Sequence, residues 1–92
     1  MMTKMIEVKT INPYFSDMWN GDKPFEIRFN DRGYQKGDVL FSREYDPENK
    51  TYSGREILSR IRYVIPEGQF VGLAHGYCAM TVTVLQQRTV DL

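Results

Sequence analysis

Apolar and polar residues alternate through Met5–Thr10 (MIEVKT), and the β-branched content of the segment predicts a first strand. Asn12-Pro13 then opens a short helix over Pro13–Asn20, because Asn accepts from free backbone N–H groups and Pro suits a first helical position. Tyr14, Phe15, Met18 and Trp19 share one face of that helix, and Gly21 supplies a left-handed stop. Phe25–Asn30 alternates strictly, which predicts a strand anchored in the core by Phe25, Ile27 and Phe29, with Glu26, Arg28 and Asn30 facing away. After the turn-rich DRGYQKGD, Val39–Tyr45 forms the next strand. DPENKT is a hairpin loop, with Asn49 suited to a left-handed position. A long return strand runs over Thr51–Ile65, with Ile57, Ile61, Tyr63 and Ile65 on one side and Pro66 as its stop. The loop EGQFVGLAHG leads into a last strand, Tyr77–Gln86.

Five strands in sequential order with one or two short helices predict a mainly β fold, curled into a small β-barrel that removes exposed edges. Ninety-two residues support one hydrophobic core and hence one domain over 1–92, with a core of about 5–86 and a C-terminal tail at 87–92. The chain is 41% hydrophobic and 26% charged, the composition of a globular protein rather than a disordered one. A lone cysteine, Cys78, excludes an internal disulfide and suits a reducing cytoplasm. No apolar run approaches the roughly 20 residues of a membrane span, and MMTKMIEVKT lacks the features of a signal peptide. A cytoplasmic protein without membrane contact is expected. Twelve basic side chains balance twelve acidic ones, so nucleic acid cannot be held by bulk charge and requires a local pocket.

His75 and Cys78 are too few for a metal site, and Cys78 beside Ala79 and Met80 reads as a small core hydrophobe. Gly68, Gly72 and Gly76 match neither a phosphate loop nor a dinucleotide fingerprint, so no cofactor is expected; they punctuate turns or form a lid. Arg43, Arg55, Arg60 and Arg62 form either a phosphate-tracking stripe or the polar face of a hairpin paired with Glu44 and Glu56. The stretch GDKPFEIRFNDR (21–32) carries six charged side chains. Glu26 and Arg28 share a strand face, Lys23 lies at its entry, and an acid between two bases directs both donors toward one spot. A solvent-facing strand shows the same mixture of charges.

Gly21-x-Lys23-x-x-Glu26-x-Arg28 resembles the G-x-K-x-x-E-x-R signature of the ASCH domain, a branch of the PUA-like superfamily. The likeness extends over about residues 5–86 to small phage and bacterial ASCH-like proteins, through Gly37-Asp38-Val39-Leu40, Arg43-Glu44-Tyr45-Asp46-Pro47, Gly54-Arg55-Glu56-Ile57, Gly68-Gln69-Phe70 and Gly76-Tyr77. The resemblance implies a compact β-barrel, in a bacterial or phage-encoded protein, with a cleft beside the helix floored by Lys23, Glu26 and Arg28. It also implies a role with RNA or modified bases. One ASCH branch hydrolyses the acetyl amide of N4-acetylcytidine with a Lys, a Thr and a Glu. Here Glu26 stands where that branch has its Thr, so a hydroxyl must come from elsewhere, with Thr81 or Thr83 as candidates.

Two functions follow as expectations. The first is RNA or modified-nucleoside binding, with Lys23, Glu26, Arg28 and Arg43 making polar contacts and Tyr45 or Tyr77 stacking on a base. The second is an amidohydrolase acting on an acylated nucleoside, with Lys23 as general base and Glu26 as its acid/base partner. A phage accessory protein that docks on a host protein through exposed aromatics is a third reading.

Overall fold

In the computed structural model, which describes residues 3–92, five strands and one short helix follow in order: β1 (Met5–Thr10), α1 (Tyr14–Trp19), β2 (Phe25–Phe29), β3 (Val39–Asp46), β4 (Thr51–Ile65) and β5 (Tyr77–Thr89). The strands form one sheet in the order β1-β3-β4-β5-β2. β3, β4 and β5 are an antiparallel meander, β1 adds to β3 in parallel, and β2 adds to β5 antiparallel. The architecture is mainly β, as the pattern suggested, and the sheet curls into a half-barrel with β1 and β2 as its two edges. Those edges are tied by a side chain instead of a strand ladder: Arg28 Nη2 donates to the Lys9 carbonyl at 3.1 Å and to Thr10 Oγ1 at 3.0 Å.

α1 plugs the concave side. Phe15 and Met18 are fully buried among Ile6, Val8, Leu40, Ile57, Ile61, Met80 and Val82, while Tyr14 stays exposed instead of joining them. The helix begins one residue later than expected, with Pro13 in the N-cap position, and Asn12 just before it accepts through Oδ1 from Ser16 N at 3.0 Å and Ser16 Oγ at 2.7 Å. A half-buried ion pair within the sheet also reaches α1: Arg55 donates to Glu44 through Nη2 (2.6 Å) and Nε (2.9 Å), and Arg55 Nη2 also donates to Ser16 Oγ. Asn12 Nδ2 and Ser53 Oγ complete the shell around Glu44.

Several local expectations are corrected. Phe25, Ile27 and Phe29 do not anchor β2: they are 43%, 52% and 53% exposed, whereas Glu26 is 3% exposed on the inner face. β-Bulges break the period in β4, so that Ile57 and Ile61 are buried but Tyr63 is exposed and Val64 packs on the core in its place. Lys50, not Asn49, takes the left-handed conformation in the hairpin (φ 56°), while Asn49 Nδ2 bonds Asp46 Oδ2 at 2.8 Å. β5 runs three residues beyond its expected end to Thr89, pairing with Arg55, so part of the supposed tail is strand.

Candidate functional site

The inner face of β1 reads Ile6, Val8, Thr10; the first two are core, and Thr10 ends the row at the opening of the half-barrel. β2 borders the other side of that opening. Its register with β5 puts Glu26 opposite Met80 and Arg28 opposite Cys78, so both charged side chains point inward with core residues as neighbours. Lys23 arrives from α1 through a tight stop: Gly21 adopts φ 86°, and the Asp17 carbonyl accepts from Asp22 N (2.9 Å) and Lys23 N (3.1 Å).

Glu26 is held at both oxygens. Lys23 Nζ lies 2.6 Å from Oε1 and Arg28 Nε lies 2.7 Å from Oε2. Removing a carboxylate from water is tolerated only when charged donors replace the lost hydration, and here two of them do so. Lys23 Nζ also donates to the Phe25 carbonyl at 2.8 Å. The chain Lys23–Glu26–Arg28–Thr10 therefore runs as one hydrogen-bonded line from the end of α1 to the end of β1.

This line floors a cleft of about 930 Å³ between the two edges. Its walls are largely aromatic, including Tyr14 from the helix, Phe25 and Phe29 from β2, Tyr34 from the following turn and Tyr77 from β5. Phe29 and Tyr77 meet edge to face with centroids 5.7 Å apart. Gly76 makes that contact possible, because a Cβ there would fall 2.5 Å from the Phe29 ring. Tyr34 is buried apart from its reach into the cleft, and burial raises its phenol above the ordinary value of 10.0, so the hydroxyl stays protonated.

Lys23, Glu26, Arg28 and Tyr77 line one cleft, and Arg43 and Tyr45 lie outside it. Arg43 pairs on the outer face with Glu7 (3.2 Å) and Glu56 (3.5 Å) and lies over the Tyr52 ring. Tyr45 packs against Tyr52 and lines a second, shallower depression. Of the other stripe arginines, Arg55 pairs with Glu44 and Arg60 donates to the Gly37 carbonyl at 2.8 Å, whereas Arg62 is exposed and has no ion-pair partner among the described residues. Thr81 is the cross-strand partner of Phe25, and Thr83 follows two residues along on the same face, so neither points toward Glu26. Thr10 is the hydroxyl that does reach the floor. It and Tyr34 were missed; the alternation Ile6, Val8, Thr10 was the available signal for the first, and nothing in the sequence pattern marked the second.

Burial makes Cys78 a poor thiolate, raising its thiol above the ordinary value. Among the described residues no group of three or more His, Cys, Asp or Glu side chains is arranged to hold a metal ion. No helix among them is long and apolar enough to cross a membrane.

A profile described as a domain of unknown function, DUF3850, matches residues 5–82. The chain belongs to the DUF3850 family. The DUF3850 match takes in Thr10, Lys23, Glu26, Arg28, Tyr34 and Tyr77, so the whole cleft floor lies inside the family region. An Escherichia phage P2 protein, described as an uncharacterized 12.9 kDa protein in the GpA 3′ region, is 38% identical over 61 residues. That alignment covers 66% of this DUF3850 chain and 54% of the phage protein, so the chain matches about half the relative's length.

Proposed function

We propose that this DUF3850 domain binds an RNA base or a modified nucleoside in the cleft between β1 and β2. The observation that carries the reading is the convergence of Lys23, Glu26 and Arg28 on a floor walled by aromatic rings. A planar heterocycle is recognised by stacking on such rings and by hydrogen bonds along its edge. The likeness of Gly21-x-Lys23-x-x-Glu26-x-Arg28 to the ASCH signature supports the same ligand class.

The amidohydrolase reading has one observation in its favour, the Thr10 hydroxyl at the end of the floor. Its hydrogen bond there is to the Arg28 cation rather than to a proton acceptor, and a nucleophilic hydroxyl needs an adjacent base. Binding is therefore the better fit.

Isothermal titration against a panel of nucleosides and short RNA oligomers tests the proposal. Tyr14→Ala with Tyr77→Ala, which removes two walls and keeps Lys23, Glu26 and Arg28, is expected to abolish binding. Binding that survives both this variant and Lys23→Ala with Arg28→Ala contradicts it. Mass analysis of N4-acetylcytidine after incubation with the protein reads out the hydrolase alternative in parallel.

A further inference from the structure

The charge balance of the cleft narrows the ligand. Its two floor cations, Lys23 and Arg28, are both committed to Glu26. Lys9 also borders the cleft, but its ammonium lies over the Tyr45 ring, 4.6 Å from the centroid and on the other side of β1. Asp17, Asp22 and Asp31 line the cleft as well, and none of them has an ion-pair partner among the described residues. The floor thus holds one positive charge in excess, and the rim carries three uncompensated carboxylates. A phosphate entering this opening meets repulsion rather than a cradle.

The unfilled hydrogen-bonding capacity of the floor is of the donor kind. Lys23 Nζ uses two of its three protons on protein acceptors. Arg28 donates from Nε and Nη2, and Nη1 has no acceptor among the described residues. Thr10 Oγ1 accepts from Arg28, which leaves its proton to give, and the Tyr34 hydroxyl has no protein partner among the described residues. On the acceptor side, each oxygen of Glu26 already takes a charged donor, as Thr10 Oγ1 does from Arg28. Donors that face a cleft are matched by a ligand that offers acceptors.

We infer that the cleft selects an uncharged nucleoside, reading a carbonyl-bearing acceptor edge of its base with Lys23, Thr10 and Tyr34, and discriminates against phosphate esters of the same nucleoside. This rests on the nucleobase-binding reading and narrows it: a base flanked by phosphates in a strand is a poorer ligand than the free nucleoside.

The test is titration of the intact protein with cytidine, uridine and their 5′-monophosphates at low ionic strength. The nucleoside is expected to bind about tenfold more tightly than its monophosphate, with the gap shrinking as salt is added. Asp17→Asn, Asp22→Asn and Asp31→Asn combined are expected to close most of the gap, and as exposed or half-exposed positions they leave the core untouched. Thr10→Val and Tyr34→Phe, which keep shape, are each expected to weaken nucleoside binding by roughly threefold to tenfold. Monophosphates binding as well as or better than nucleosides overturn the inference while leaving nucleobase binding standing. If no nucleoside and no nucleotide binds, the underlying reading falls with it.

Discussion

Arg28 on β2 and Thr10 on β1 are joined across the mouth of the half-barrel, with Arg28 Nη2 3.0 Å from Thr10 Oγ1. The same guanidinium holds Glu26 through Nε at 2.7 Å. One side chain therefore both closes the fold at its open seam and sets the floor of the cleft, which couples stability to the site.

Arg28→Ala is expected to destabilise the domain by about 1.5–3 kcal/mol, the range for hydrogen bonds to a charged group, because Glu26 stays buried with one donor lost. Urea unfolding measures it. Arg28→Lys is expected to recover only part, since a lysine cannot bond Glu26 and Thr10 from separate nitrogens of one rigid fork. Full recovery by lysine would show that charge alone matters there.

Acid stability is expected to depend on Glu44. Hydrogen bonds from Arg55 foremost, with those from Ser53 and Asn12, outweigh desolvation and lower its pKa from 4.5 to about 2. A carboxylate depressed in the folded state adds stability above its unfolded pKa and loses it as pH falls through the folded value. The contribution should be complete above about pH 5 and vanish toward pH 2, and with Arg55 partly exposed we expect about 2 kcal/mol rather than the full unscreened value. Denaturation of the wild type and Glu44→Gln between pH 7 and 2 checks this: the variant should lack that share of the acid-induced loss.

Gly76→Ala is expected to cost about 1–3 kcal/mol, because the residue sits at φ 81° and its new Cβ would press on the Phe29 ring. The displaced ring should also weaken ligand binding. Retained affinity alongside lost stability would mean that Phe29 is no part of the binding wall.

Arg43→Ala and Tyr45→Ala are expected to leave ligand affinity within about twofold, since their contacts are to Glu7, Glu56, Tyr52 and the Lys9 ammonium, away from the cleft floor. A larger loss in either variant would return the outer face to the binding site.

The strand positions were legible because their alternation and turn residues agree, and β4 ends at Ile65 before Pro66 as its sequence suggests. The facing of β2 was not. Period two defines two faces without saying which is inward, and the aromatic face of Phe25, Ile27 and Phe29 looked like core. Glu26 turns inward because Lys23 and Arg28, contributed by a helix stop and the same strand, replace its water; that compensation is visible only in three dimensions. The bulge between Ile61 and Tyr63 hid the exposure of Tyr63 for a similar reason, since one extra residue reverses all that follows. Lys23, Glu26 and Arg28 could be singled out from spacing, whereas Thr10 and Tyr34 join them only through the curl of the sheet.

The central claim, that the cleft between β1 and β2 is a nucleobase-binding site, is tested most directly by amide chemical-shift mapping during a nucleoside titration. The account predicts saturable shifts at Thr10, Lys23, Glu26–Phe29, Tyr34 and Tyr77, lost in the Tyr14→Ala, Tyr77→Ala variant. Shifts confined to the Tyr45 and Tyr52 side, or none with any nucleoside, would contradict it.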